Sequence, residues 1–289
     1  MTAPTPALIE TFSALAPDYD AVLCDIWGVV HNGIAATAPA VAALTRFREG
    51  GGTVVLISNA PRPGSGVIRS LDQLGVVCSA YDGIVTSGDL TRSYVAGSHR
   101  RTVFHIGPER DIGIFEGLDV AFGPVDVADY VICTGLVDDD NETPETYRAL
   151  LGRMRERDLL MICANPDLVV ERGDRLVYCA GAIAQLYEGL GGEVMYTGKP
   201  YQPIYREALA RVAGLRGAAP RLGRVLAIGD SVRTDLKGAH DFGIDCLFVT
   251  AGIHAEELGE RHDPDLTALA RIFADVGSSP KAVIRQLVW

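Results

Sequence analysis

A chain of 289 residues is long enough for two domains and a sizeable core. Apolar residues make up 48% and charged residues 22%, the mix of an ordinary globular protein. The formal net charge of −11 removes any electrostatic reason to bind nucleic acid or an anionic membrane, so action on an anion needs a local cation or a helix N-terminus.

Short apolar, β-branched runs alternate with helical stretches. A candidate helix carries Leu8, Ile9, Phe12 and Leu15 on one face, and the strand run AVLCDI (21–26) follows it. Helical Val41–Arg48 ends at Glu49-Gly50-Gly51-Gly52 and leads into TVVLIS (53–58). After a third helical stretch comes GIVTS (83–87). The middle of the chain holds its own strands, TVFHIG (102–107), YVICTG (130–135) and LLMICA (159–164), with helices over 143–157 and 180–190. Between them lies the acidic stretch DDDNE (138–142), read as a solvated loop. Toward the C-terminus VLAIGD (225–230) and CLFVTAG (246–252) flank a helix around Leu236–Asp241. Unbroken apolar strands between helices argue for an α/β protein with a parallel sheet covered on both faces. The middle stretch reads as a second α/β unit inserted into the first.

The first 20 residues lack a basic n-region and a continuous apolar segment, so no secretory leader is expected. No stretch approaches the ~20 apolar residues of a membrane helix. Six cysteines, none in a C-x-x-C pair and most in apolar runs, read as reduced, buried thiols of a cytoplasmic protein. Only Lys199, Lys237 and Lys281 of the 26 basic residues are lysine. In such a chain arginine is the generic cation, and a retained lysine draws attention to its compact ammonium.

The strand ends carry the chemistry. AVLCD closes on Asp25, VVLIS on Ser58 followed by Asn59, and VLAIGD on Asp230, with Asp235 five residues on; Lys199 sits in Thr197-Gly198-Lys199-Pro200. Ligands of parallel α/β sheets bind at the carboxyl ends of the strands. There, three carboxylates, a hydroxyl and an ammonium would converge. Clustered carboxylates need a cation, and oxygen donors without His or Cys suit Mg2+. Magnesium, a lysine, a hydroxyl and a carboxylate nucleophile are the equipment of phosphoryl transfer.

Asp25-x-x-Gly28, Ser58-Asn59, Lys199-Pro200 and Gly229-Asp230-Ser231-x-x-x-Asp235 resemble, in order and strand context, the four motifs of the haloacid dehalogenase (HAD) superfamily. Gly28 to Gly33, Thr86-Ser87-Gly88, Asn165-Pro166-Asp167 and Thr197-Gly198-Lys199-Pro200 are similar to its capped subclass IIA, the NagD-like and p-nitrophenyl phosphatase-like branch. The resemblance implies a Rossmann-like core over residues 1–99 and 194–289 with an α/β cap over 100–193 whose closure excludes water. It implies a Mg2+-dependent phosphatase acting on a small phosphorylated metabolite, sugar phosphate-like, and leaves a homodimer open. Asp25 would be the nucleophile, forming an aspartyl-phosphate. Asp25, the Trp27 carbonyl and Asp230 would bind the metal, with Asp235 behind them. Ser58, the Asn59 backbone and Lys199 would hold the phosphoryl group, and Asn165 and Asp167 would face the site.

Two positions depart from the family pattern. Trp27 stands where these phosphatases carry the Asp that serves as general acid and base, a role worth ~10²–10⁴ in rate. Four readings follow: a phosphatase for good leaving groups, another donor such as His31 or a cap residue, a dehalogenase, or a protein that binds a phosphorylated ligand without turnover. Retention of both Asp230 and Asp235 argues against the dehalogenase. The second departure is Ala60-Pro61-Arg62-Pro63 in place of a polar run. Arg62 is either a solvated charge at a helix start or a contact for a substrate carboxylate or second phosphate.

Overall fold

The computed structural model describes residues 6–172, 175–252, 259–260, 263–264 and 266–289. The chain folds as two compact units, one of Met1–Ser58, Ile68–Val85 and Tyr205–Trp289, the other of Asn59–Val67 and Thr86–Ile204.

The first unit is built on a seven-stranded sheet in the order Ala7–Ile9, Ala282–Ile284, Asp245–Val249, Val225–Gly229, Ala21–Asp25, Thr53–Ser58, Gly83–Thr86. The pairings from the first of these strands through to Thr53–Ser58 are parallel. Every residue of AVLCD, TVVLIS and VLAIG is buried, which is why these runs are apolar without alternation. Helix Ala38–Glu49 buries Ala40, Val41, Ala43, Leu44 and Phe47 along one side. The register places Asp25 beside Ile57 and Cys24 beside Ile228, so the carboxyl ends of three neighbouring strands lie level.

The helix expected over Leu8–Leu15 does not form. Ala7–Ile9 is a strand paired with Ala282–Ile284, and two 3-10 turns, Phe12–Ala14 and Ala16–Asp18, follow it. The short apolar run gains more by extending the sheet edge than by helix formation interrupted at Pro17. Phe12, fully buried, packs against Phe47 and Trp289.

The second unit has a five-stranded parallel sheet in the order Val194–Tyr196, Met161–Cys163, Tyr130–Cys133, Thr102–Ile106, Ala121–Phe122, and a separate antiparallel hairpin, Val169–Arg172 with Arg175–Tyr178. Its core lies on both faces, as the two-residue period requires. Val131, Cys133, Met161 and Cys163 join one cluster, Tyr130, Ile132, Ile162 and Ala164 the other. Asp139 of the acidic stretch is not a solvated charge; it pairs with both Arg110 and Arg172. The six cysteines are free thiols, five buried and Cys78 exposed. Among the described residues no helix is long and apolar enough to cross a membrane.

His105, in the strand Thr102–Ile106, packs edge-on against Phe115 and shares a 2.9 Å hydrogen bond with the Thr134 hydroxyl. Burial pushes its imidazole from the ordinary 6.5 down to about 4. Between those values the unfolded chain takes up a proton that the folded chain refuses. The contribution is therefore intact above pH 6.5 and is lost as the pH falls to about 4, on the order of 2–3 kcal/mol in full. Chemical denaturation at pH 7 and pH 4.5 should show a smaller loss of stability in His105→Gln than in the wild-type protein.

Candidate functional site

In the first unit Asp25, Asp230 and Asp235 come together. One carboxylate oxygen from each lies within 4.8 Å of the others, and the three residues are 8%, 4% and 1% exposed. Each arrives by a local device. The Ile26 N–H donates to Asp25 Oδ1 at 2.8 Å, fixing that carboxylate against the turn leaving its strand. Asp235 is folded back by a π-turn over Val232–Leu236, so that the Ser231 N–H donates to its Oδ2 at 3.2 Å. Asp230 is hemmed in by backbone. A Cβ at Gly28 or at Gly252 would overlap its carboxylate, and a Cβ at Gly229 would overlap that of Asp235. Gly28 also has φ +84°, a region that side chains avoid.

The donor set tests what the cluster suits. Three buried carboxylates this close repel one another unless a cation lies among them. The ligand atoms are hard oxygens from carboxylates alone, with no His or Cys in the group. The residues present fit a hard divalent cation, and Asp25, Asp230 and Asp235 are the side chains that would hold it or its waters.

Trp27 and His31 form the turn beyond Asp25. They are joined by a parallel bridge, and their rings meet edge-on at 5.0 Å. Trp27 is 38% exposed and its indole covers Gly33, where a Cβ would collide with the ring. His31 is buried, and burial pushes its imidazole down to about 4. Its Nδ1 accepts the Gly33 N–H at 2.9 Å, which puts the proton of the neutral ring on Nε2. Ser58 is buried at the end of its strand.

The remaining expected residues belong to the second unit, and Asn59 organises them. Its Oδ1 accepts the Lys199 N–H at 2.7 Å. Its Nδ2 donates to the Lys199 carbonyl at 3.1 Å and to Asp167 Oδ1 at 2.9 Å. The Asn59 side chain thus clasps the main chain of Lys199, a role that local sequence does not signal. A Cβ at Gly198 would strike Asn59 Oδ1, which explains the glycine. Asn165 stabilises its own turn by accepting the Asp167 N–H at 3.1 Å. Thr197 shares hydrogen bonds with Ser87 at 2.7 Å and Thr91 at 3.0 Å. Lys199 is 1% exposed. Arg62 is not merely a solvated charge; its Nε donates to the buried Asp111 at 3.2 Å.

A parallel α/β sheet whose central strands end on carboxylates suited to a hard cation is a setting for metal-assisted chemistry. Two family models match the chain, that of the haloacid dehalogenase-like hydrolases over residues 22–121 and an HAD-hydrolase-like model over residues 196–276. The crystal structure of a hydrolase of the haloacid dehalogenase-like family from Brucella suis 1330 is 48% identical, covers 97% of this chain and 100% of its own, and superposes with a TM-score of 0.86. The chain belongs to the haloacid dehalogenase-like hydrolase family. The D-glycerol 3-phosphate phosphatase of Mycobacterium tuberculosis is 29% identical over 250 residues, 84% of this chain, which spans 66% of that relative's length. The fold is also that of the p-nitrophenyl phosphatase from Archaeoglobus fulgidus, with 23% identity, 92% and 96% coverage and a TM-score of 0.70.

The packing of Gly28 against Asp230 gives a direct test. Gly28→Ala should weaken divalent-cation binding at least tenfold in calorimetric titration, because the new methyl displaces a carboxylate. Gly51 has a similar φ of +87° with nothing within 4 Å of a Cβ. Gly51→Ala should cost about 1 kcal/mol of stability and leave divalent-cation affinity unchanged.

Proposed function

We propose that the protein is a Mg2+-dependent phosphatase of small phosphorylated metabolites, sugar phosphate-like, working through an aspartyl-phosphate on Asp25. The observation that carries this reading is the buried trio Asp25, Asp230 and Asp235, with the Asp25 carboxylate fixed by the Ile26 N–H. Similarity to a D-glycerol 3-phosphate phosphatase supports the substrate class. Residues 1–99 and 194–289 act as the HAD core and 100–193 as the cap.

In the first step a carboxylate oxygen of Asp25 attacks phosphorus, and the bond from phosphorus to the leaving oxygen breaks. Water then attacks the same phosphorus, releasing inorganic phosphate and regenerating Asp25. A bound Mg2+ would supply charge neutralisation for the nucleophile and the transferring group. Asp25, the Trp27 carbonyl and Asp230 would hold it, with Asp235 behind them. Ser58, the Asn59 backbone and Lys199 hold the phosphoryl oxygens, and the Asn59 side chain keeps the Lys199 main chain in place. An indole at position 27 supplies no proton to the leaving oxygen. His31 is the donor expected nearest in sequence, but a neutral imidazole with its proton on Nε2 offers a hydrogen bond only; the leaving oxygen takes its proton from water, and good leaving groups need donation least.

Asp25→Asn should abolish phosphate release while preserving the thermal transition; equal activity in that variant would remove Asp25 as nucleophile. Trp27→Asp should raise turnover of alkyl phosphates by ten- to a hundredfold and change that of p-nitrophenyl phosphate far less. Equal effects on the two would show that proton donation does not limit the rate. Chelation should stop both, and halide release from a haloacid without metal would instead favour dehalogenation.

A further inference from the structure

The carboxyl edge of the second unit's sheet carries a buried polar chain that the phosphatase chemistry leaves unused. Asp111, 4% exposed, lies in the turn after the strand Thr102–Ile106, and Thr134, 2% exposed, follows Tyr130–Cys133. Thr134 lies close enough to the Asp111 carboxylate to pull its pKa down. On its other side the Thr134 hydroxyl shares a 2.9 Å hydrogen bond with His105 Nε2. Gly107 makes the approach feasible, since a Cβ there would overlap the Thr134 hydroxyl. At the outer end of this chain Asp111 Oδ1 accepts Arg62 Nε at 3.2 Å.

The manner of that pairing matters. Asp111 takes Arg62 by Nε alone, and neither terminal Nη nitrogen has a partner among the described residues. The Arg62 side chain is 44% exposed, so its fork faces outward from a buried anchor. Its backbone is fixed too. The Arg62 carbonyl accepts the Thr86 hydroxyl at 2.7 Å, the Ala60 carbonyl accepts the Gly88 N–H at 3.1 Å, and the Gly64 N–H donates to Asp89 at 3.0 Å. Gly88 has no room for a Cβ against the Arg62 main chain. Much of the entropy of ordering a long arginine is therefore lost on folding rather than on ligand binding. Arg62 is three residues from Asn59, whose side chain holds Lys199, so the two Cα atoms are at most about 11 Å apart.

The geometry points to a substrate that carries a carboxylate besides its phosphoester, a phosphorylated sugar acid or hydroxy acid, bound through the Arg62 fork and positioned by Asp111, Thr134 and His105. This deepens the phosphatase reading and rests on it. The paired Nη donors match the two oxygens of a carboxylate. One guanidinium, already shared with Asp111, suits a single negative charge better than a second phosphate dianion. Burial raises the Asp111 carboxyl, against the opposing pull of Arg62, so the pair is held at a desolvation cost that a purely structural surface charge would not require.

The test uses 3-phosphoglycerate and glycerol 3-phosphate, which share a three-carbon phosphoester and differ by a carboxylate against a hydroxymethyl group. With the full chain and Mg2+, kcat/KM for 3-phosphoglycerate should exceed that for glycerol 3-phosphate at least tenfold. Arg62→Lys keeps the charge and loses the fork, and should cut that ratio at least fivefold. Asp111→Asn should raise KM for 3-phosphoglycerate several-fold at constant kcat, without the same change for glycerol 3-phosphate. A wild-type ratio of one or less, or a ratio untouched by Arg62→Lys, overturns the inference. Calorimetric binding of both compounds to Asp25→Asn separates the two readings. Tighter 3-phosphoglycerate binding without turnover of either compound by the wild type would overturn the phosphatase and keep the Arg62 site. Turnover without carboxylate preference would do the reverse.

Discussion

Three carboxylates held within 4.8 Å of one another in a buried corner are the constraint around which the first unit is arranged. Gathering three charges of the same sign in one buried place is expensive. Backbone N–H groups of Ile26 and Ser231 answer part of that charge, and the surrounding main chain holds the cluster tight. Gly28, Gly229 and Gly252 give up side chains so that Asp230 and Asp235 fit. The π-turn after the Val225–Gly229 strand turns Asp235 back to the Ser231 N–H. Positive charge nearby favours such an arrangement, so a divalent cation that binds there would stabilise the fold.

The motif residues were legible because each closes an uninterrupted apolar strand, and a parallel sheet brings strand ends together. The alternation of strands and helices was equally plain. Short elements were not: Ala7–Ile9 and Ala282–Ile284 have three residues each, too few to show a period, and only their pairing makes them strands. Nor could sequence spacing give the Asn59 clasp on Lys199 or the Arg62–Asp111 pair. These bonds span 140 and 49 residues and leave no local pattern. Arg62 reads from sequence as a solvated charge at a helix start, and it is the buried Asp111 that changes its meaning.

By the resemblance to the HAD motifs, Trp27 stands where a carboxylate is expected. The indole is not a core residue, since it is 38% exposed and stacked over Gly33. It encloses His31, which burial keeps neutral near pH 7. The turn beyond Asp25 is thus drier and less acidic than one bearing a carboxylate at that position.

The Asn59 clasp has a consequence for how the protein comes into being. Its partners Asp167 and Lys199 lie 108 and 140 residues further along the chain. The acidic trio likewise joins residue 25 to residues 230 and 235. During synthesis the N-terminal half therefore holds Asp25 without its repelling neighbours, and can form its early strands before any repulsion arises. Asp230 arrives with the Val225–Gly229 strand that completes the centre of the sheet, so the three carboxylates meet only after a loop of about 200 residues has closed.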